Sequence, residues 1–501
     1  MRLGSALIAA AAGAAAMSCG LSQEGIPPPS DRIFYPGAIL VDQGAKRLYV
    51  VNSNADLRFN DGTLAVMDLD AALKVHRDAL PSDSGVPLRP REVCSEIGFI
   101  NQLSDAPDYC CWDALDHNVL DCDERAYAMG DSASVKIGSF GSAMEFLPHD
   151  SSYPAVDDGI GRLFVAVRGN ASITWIKVVG QDDSGPVTLD CGGSGFAECT
   201  ADHRVTVTTG PAGPAADTVT SSVEVALPDE PYALGLDEYQ RLLYVGHLRG
   251  GFLSAVNLLL KTPELIGTYP GIFPGDINGS TGVTSLTVLK ANPGIETGRI
   301  LATSRFVPRA GAFAPVVRGT AACDDTKTPR CDPSVYNPQV FLANAGDAFV
   351  SPLAGAETRG IQVIPGVNRA FVLQRTPPAL IGFDTTDPNN NIATDVLEMC
   401  SGPTFLHMHS LTGEDASDQQ LFVTCFESGE IYVVDPYVPR VVAIIEVGRG
   451  PAGLAFAKGV PDLGYVVGFG SNNVSVIDLA VNSSTRYHVI QRIGFPNPTP
   501  R

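Results

Sequence analysis

The chain has 501 residues and a formal net charge of −21, with 34 Lys and Arg against 55 Asp and Glu. Such a balance provides no clustered basic surface for phosphate, which argues against nucleic acid as a partner and leaves solubility as the plain reading of the acidity. A hydrophobic content of 45% is ordinary for a globular protein, and 51 Gly with 37 Pro suit a chain with very many turns.

The first residues read as an address and not as part of the fold. Arg2 precedes a short Ala-rich apolar run ending at Met17, and Ala16-Met17-Ser18-Cys19 follows, so residues 1–18 look like a bacterial lipoprotein signal peptide. Cys19 would then carry the lipid, and Gly20 after it favours the outer membrane. An ordinary secretory signal cleaved nearby is the alternative. Residues 19–34, with Pro27, Pro28 and Pro29, read as a tether. No later run is long and apolar enough to span a bilayer.

From residue 35 onward, short β-rich runs alternate with Gly- and Asn-bearing turns, and one order of strands returns seven times. Each unit opens with an apolar strand: PGAILV, GSAMEFL, EPYALGL, GVTSLTVL, TRGIQVI, GPTFLHM and GPAGLAF. The second and third strands are LYVVNSN with LAVMDLD, RLFVAVRGN with ITWIKVV, LLYVGHLRGG with LSAVNLL, ILATSRF with QVFLANA, AFVLQRT with LIGFDTT, LFVTCF with EIYVVD, and YVVGFG with VSVIDLA. The units cover 38–70, 142–178, 230–258, 281–346, 358–385, 402–435 and 451–480. Insertions fall at 71–131, 181–222 and 308–338, and a closing strand at 486–496.

The repeat is cleanest from Leu421 to Ala457, where a β-rich strand, the turn ESGE, a strand ending in Val-Val-Asp, an outer strand and Val-Gly-Arg-Gly-Pro follow one another. This stretch resembles the YVTN-type β-propeller repeat, with Cys425 where that pattern usually has Asn. The resemblance implies an all-β, seven-bladed propeller over 35–501, with disulfide-containing loop insertions. Its first inner strand and its last outer strand would lie side by side and close the ring, removing exposed sheet edges. Alternate loops of an up-and-down blade share a face, so 71–131 and 181–222 are expected to cap one face and 308–338 the other.

After Cys19 ten cysteines remain, in local groups: Cys94, Cys110, Cys111 and Cys122; Cys191 and Cys199; Cys323 and Cys331; Cys400 and Cys425. Disulfides suit an exported chain, and the spacings are not those of a zinc site. The first four allow three connectivities. Asp68, Asp384, Asp435 and Asp478 recur at the end of a third strand. They read as Asx turns in preference to calcium or catalytic carboxylates, and Asn257 in the equivalent place fits that reading.

Aligning the second strands puts Arg168, Arg305 and Arg375 at one height around one rim, with His247 and Arg249 near the same level. Converging guanidinium forks suit a carboxylate or phosphate ligand. The blander reading pairs each with a carboxylate of the next blade. His407 and His409 alternate along one strand, with His149 as a third candidate metal ligand; as satisfied polar groups in a wet channel they need no metal. No GxSxG, HExxH, Walker or dinucleotide motif occurs in a supporting context, so the reading leans away from an enzyme. It is of a membrane-anchored, monomeric, extracytoplasmic module without a cofactor, binding a protein or a small anionic ligand. The alternatives are a lactonase-like hydrolase of an acidic sugar, with His247 as base, and a periplasmic redox-partner module.

Overall fold

The computed structural model describes residues 25–42, 46–79, 94, 110–149, 161–180, 186–211, 222–238, 240–270, 272–273, 281–289, 299–305, 309–318, 339–349, 357–364, 367–386, 392–410, 418–457 and 462–494. The expected signal peptide, Cys19, Cys323 and Cys331 lie outside them. Among the described residues, no helix is long and apolar enough to cross a membrane.

Among the described residues the fold is all-β apart from one helix and a few short turns of 3₁₀. The first sheet holds β1 (Pro36–Val41), β2 (Arg47–Asn52) and β3 (Thr63–Asp68). Helix α1 (Leu69–Ala79) and the short strands β4 (Cys110–Trp112) and β5 (Leu120–Cys122) intervene before its outer strand, β6 (Ser134–Lys136). The second sheet comprises β7 (Gly141–Leu147), β8 (Gly161–Val167), β9 (Ser172–Val179), β10 (Thr188–Asp190) and β11 (Arg204–Val205). A separate hairpin follows, β12 (Val207–Pro211) with β13 (Ser222–Ala226).

Four-stranded sheets come next: β14 (Pro231–Asp237), β15 (Leu242–His247), β16 (Leu253–Asn257) and β17 (Glu264–Tyr269); then β18 (Gly282–Leu289), β19 (Arg299–Arg305), β20 (Arg309–Arg318) and β21 (Gln339–Phe349). They continue with β22 (Glu357–Ile364), β23 (Arg369–Thr376), β24 (Ala379–Asp384) and β25 (Ile392–Glu398), and β26 (Pro403–Ser410), β27 (Gln419–Cys425), β28 (Glu430–Asp435) and β29 (Arg440–Glu446). Six sheets of four or five strands thus stand in sequence. The last sheet, β30 (Pro451–Phe456), β31 (Leu463–Gly468), β32 (Asn473–Asp478) and β33 (His488–Ile493), is widened to six strands by β5 and β4.

The innermost strands touch in the order β1, β7, β14, β18, β22, β26, β30, and β30 touches β1 again. The sheets therefore form a closed β-propeller. Its packing follows from the two-residue period of a strand. Along β2, Leu48 and Val50 enter the core shared with the last sheet, while Tyr49 and Val51 enter the core shared with the second. Both faces are covered, so β2 is buried from end to end. The outer strand β29 has only one covered face and alternates, with Val442 and Ile444 exposed.

Closure uses the long insertion of the first sheet. β5 runs parallel to β33, pairing Leu120 with Gln491, Asp121 with Arg492 and Cys122 with Ile493. The Arg492 guanidinium reaches Asp121 and Asp113, each at 3.1 Å. Leu69, Ala72 and Leu73 of α1 join the core between the first and last sheets. The described part of 71–131 is thus a clasp on the outer edge of the last sheet, where a cap over one face was expected. Two disulfides, Cys94–Cys111 and Cys110–Cys122, hold it, which selects one of the three connectivities. Cys191–Cys199 and Cys400–Cys425 are also bonded.

Two further expectations change. The insertion at 181–222 supplies β10 and β11, which pair with β9, so it builds the outer edge of its own sheet. In the fourth sheet QVFLANA belongs to the outer strand β21. The third strand is β20, inside the segment 308–338 that was expected to be an insertion. The connection carrying Cys323 and Cys331 accordingly follows a third strand and not a second.

The recurrent aspartates do what turn residues do. The Oδ1 atoms of Asp68, Asp384, Asp435 and Asp478 accept the amides of Ala71, Thr386, Tyr437 and Ala480 at 2.8–2.9 Å. Asn257 does the same for Leu259 at 3.0 Å.

Candidate ligand-binding mouth

Every inner strand slips register by one residue close to its start, at the same level of the ring. The slips fall at Pro36/Ala38, Gly141/Ala143, Pro231/Ala233, Val283/Ser285, Thr358/Gly360, Pro403/Phe405 and Pro451/Gly453. A bulge leaves its extra residue outside the ladder and re-aims it. Here the extra residues Gly37, Ser142, Tyr232, Arg359, Thr404 and Ala452 line one cavity at the end of the propeller axis, of about 260 Å³. Thr284, the extra residue of β18, lies in the channel below. The bulges also lash sheets together: Ser142 Oγ donates to the Tyr232 carbonyl at 3.1 Å, and Thr284 Oγ1 to that of Thr358 at 2.6 Å. Neighbouring inner strands crowd at Gly37, where a Cβ would stand 2.5 Å from the Gly141 carbonyl oxygen.

Arg168, at the end of β8, and Arg375, in β23, line this mouth together with Arg359. Phe140, Phe405, Phe426 and Phe469 supply its apolar wall, Phe426 and Phe469 with ring centroids 5.9 Å apart. Each expected rim arginine also meets a carboxylate of the following sheet. Arg168 lies 3.7 Å from Glu230, Arg305 3.8 Å from Glu357, and Arg375 3.3 Å from Glu427. Arg249 shares Glu230 at 3.8 Å, and Arg359 shares Glu357 at 2.5 Å. Hydrogen bonds from Ser401 and Arg375 hold the Glu427 carboxyl below its usual range. The buried Nε atoms of Arg168 and Arg359 have no hydrogen-bond partner among the described residues. Unsatisfied charged donors in an apolar setting are costly.

Below the mouth, a channel of about 260 Å³ is walled by Ile39, Met144, Leu234 and Leu454 on one side, and by Thr284, Gln362 and His407 on the other. Burial pushes the His407 imidazole down to about 4, so it is neutral at ordinary pH, and its Nε2 has no partner among the described residues.

The structure parts from the sequence at several residues. Arg305 pairs with Glu357 outside the lining of the mouth, and its place is taken by Arg359. His247 is wholly buried. Its Nδ1 lies 3.1 Å from the Asp229 carbonyl, which only accepts, so Nδ1 carries the proton and Nε2 accepts from Ser254 Oγ at 3.0 Å. That imidazole is structural, and burial lowers its pKa to about 4. His409 stacks on Phe456, centroids 4.1 Å apart, and His149 is exposed just beyond β7. Among the described residues, no group of three His, Cys, Asp or Glu could hold a metal ion. Sequence reading missed Arg359 and Tyr232 because bulge residues break the alternation that it follows; a Pro at the strand head, as at Pro36, Pro231, Pro403 and Pro451, was the visible sign of a bulge start.

No protein-family model matches the chain, and no curated protein matches it. The YVTN resemblance therefore rests on its motif alone. Among solved structures, the chain is similar to Saccharomyces cerevisiae Sqt1, with 9% identity over 91% of this chain and 85% of that one, at a TM-score of 0.44. It is likewise similar to the β-propeller domain of Cps50 (Swd1) from Myceliophteria thermophila, with 8% identity over 89% and 96%, also at 0.44. A protein of Bacteroides uniformis, provisionally named a 6-phosphogluconolactonase, matches at 13% identity over 66% and 80%, at 0.42.

Proposed function

We propose that the chain is a seven-bladed propeller, with the six-stranded sheet as the blade that closes the ring, and that its axial mouth binds a small anionic ligand. The observation that carries this reading is the set of three arginines, two of them with an unsatisfied buried Nε, around an aromatic-walled cavity in a chain of net charge −21. Fixed guanidinium forks match carboxylates or phosphates, and the phenyl walls suit a flat or apolar body. The four disulfides among the described residues favour an oxidising compartment, consistent with a lipid-anchored envelope protein held through Cys19. Calorimetric titration of the purified protein with carboxylates and sugar acids tests the site. Binding that falls at least tenfold in Arg359→Ala supports it; binding indifferent to Arg359 and Arg375 overturns it.

A second reading, hydrolysis of an acidic sugar lactone, draws on one observation: a neutral imidazole, His407, lines the channel under the mouth, and its buried Nε2 has no partner among the described residues. A histidine serves as a general base only when it is unprotonated and within reach. His407 replaces His247 in that role. Lactone turnover lost in His407→Asn, with ligand binding kept, would move the assignment from binder to hydrolase.

A further inference from the structure

The arginines of the mouth stand at two poles and not in one cluster. Around the ring the inner strands run β7, β14, β18, β22, so Arg168, in the turn after β8 on the sheet of β7, stands three places away from Arg359 and Arg375, on the sheet of β22. In the other direction they are four places apart, which is as near to opposite as this ring permits. At the first pole two guanidinium groups, Arg168 and Arg249, share the single carboxylate of Glu230. At the second, Arg359 is mostly buried, with 12% of its side chain exposed, beside Arg375. Each pole leaves one buried guanidinium Nε without a partner among the described residues, Arg168 at one and Arg359 at the other. Between them the wall is aromatic, with Tyr232 on one flank and Phe405 and Phe426 on the other.

We infer that the ligand is a dianion carrying a carboxylate at each end of a flat, apolar middle, and that it bridges the two poles. This rests on the reading of the mouth as an anion site and says more than that reading does. A single carboxylate satisfies one pole and leaves the other as it was. Two carboxylates on a rigid spacer satisfy both, and a planar spacer stacks against phenyl rings at little cost in its own entropy.

The test uses terephthalate and its monomethyl ester, which share length and ring and differ by one charge, with succinate through suberate to gauge the span. Titration calorimetry on the full chain is expected to give terephthalate at least tenfold tighter binding than the monoester. Arg168→Gln is expected to erase that advantage while the monoester keeps its affinity through the other pole. Glu230→Gln, which frees Arg168, is expected to tighten terephthalate; an unchanged melting temperature shows that both variants fold. Equal affinity for diacid and monoester, or a diacid indifferent to Arg168, overturns the bridging inference alone. Failure of every carboxylate to bind folded protein overturns the anion-site reading and the inference together.

Discussion

The backbone amide of Tyr35 donates to the side-chain oxygen of Asn472 at 2.7 Å, across 437 residues of sequence. One group precedes the first inner strand and the other sits in the β31–β32 turn, so the bond is made only when the ring is shut. Asn472 holds a positive φ of 55°, a conformation that Asn tolerates better than most residues. Asn472→Ala is expected to destabilise by about 1–3 kcal/mol, from the lost bond and the strained turn together. Denaturant unfolding reads this directly; a loss within error would mean that the closure does not depend on this contact.

The clasp gives a second expectation. Cys110–Cys122 closes a short loop with a sequence separation of 12, beside the parallel pairing of β5 with β33. Replacing both cysteines by Ser is expected to cost about 3 kcal/mol on the chain-entropy account of short loops. Protection of the amides of β33 from hydrogen exchange should fall with it. Protection unchanged in the double variant would show that the pairing with β33 holds without the covalent bond.

Inner strands approach so closely that side-chain bulk is excluded at defined places. A Cβ on Gly282 would lie 2.0 Å from the carbonyl oxygen of Leu248, a backbone atom of the preceding sheet. Gly282→Ala therefore has to push two sheets apart, at a cost of about 1–3 kcal/mol or more. A melting temperature equal to that of the wild type would contradict this spacing.

Acid should weaken the fold through its buried imidazoles. His247 and His407 each have a pKa lowered by burial from 6.5 to about 4, so the unfolded chain binds their protons more readily. Their contribution is complete above about 6.5 and is lost as pH falls toward 4. Asp121, pushed up by burial to about 6, acts in the opposite direction and adds stability as pH falls. Comparing the wild type with His247→Gln isolates one imidazole. The stability gap between them is expected to narrow by about 2 kcal/mol from pH 7 to pH 5. A constant gap would mean that the fold leaves the pKa of His247 where the unfolded chain has it.

What could be read beforehand follows from where alternation survives. In Leu421–Ala457 each strand keeps its period and each turn its Gly or Asp, and β27 to β30 lie where those signals put them. The third strand of the fourth sheet escaped notice because Gly311 and Pro315 make β20 resemble a loop, while the more apolar QVFLANA took its place. Arg168 and Arg375 reach the mouth because the ends of equivalent strands share one height. Glu230, Glu357 and Glu427, the partners of Arg168, Arg305 and Arg375, fit the blander reading of paired charges. His247 was misplaced because spacing along a strand gives a height and a side, but not whether that side meets a cavity or a neighbouring sheet.

The bulges at the head of each inner strand separate what the molecule recognises from what keeps it folded. A residue that has left the ladder can be exchanged without breaking a strand pairing, and its neighbours in the ring need not adjust. Selection can therefore rewrite the opening one position at a time, like the characters on a combination lock, while the wheel behind it stays the same.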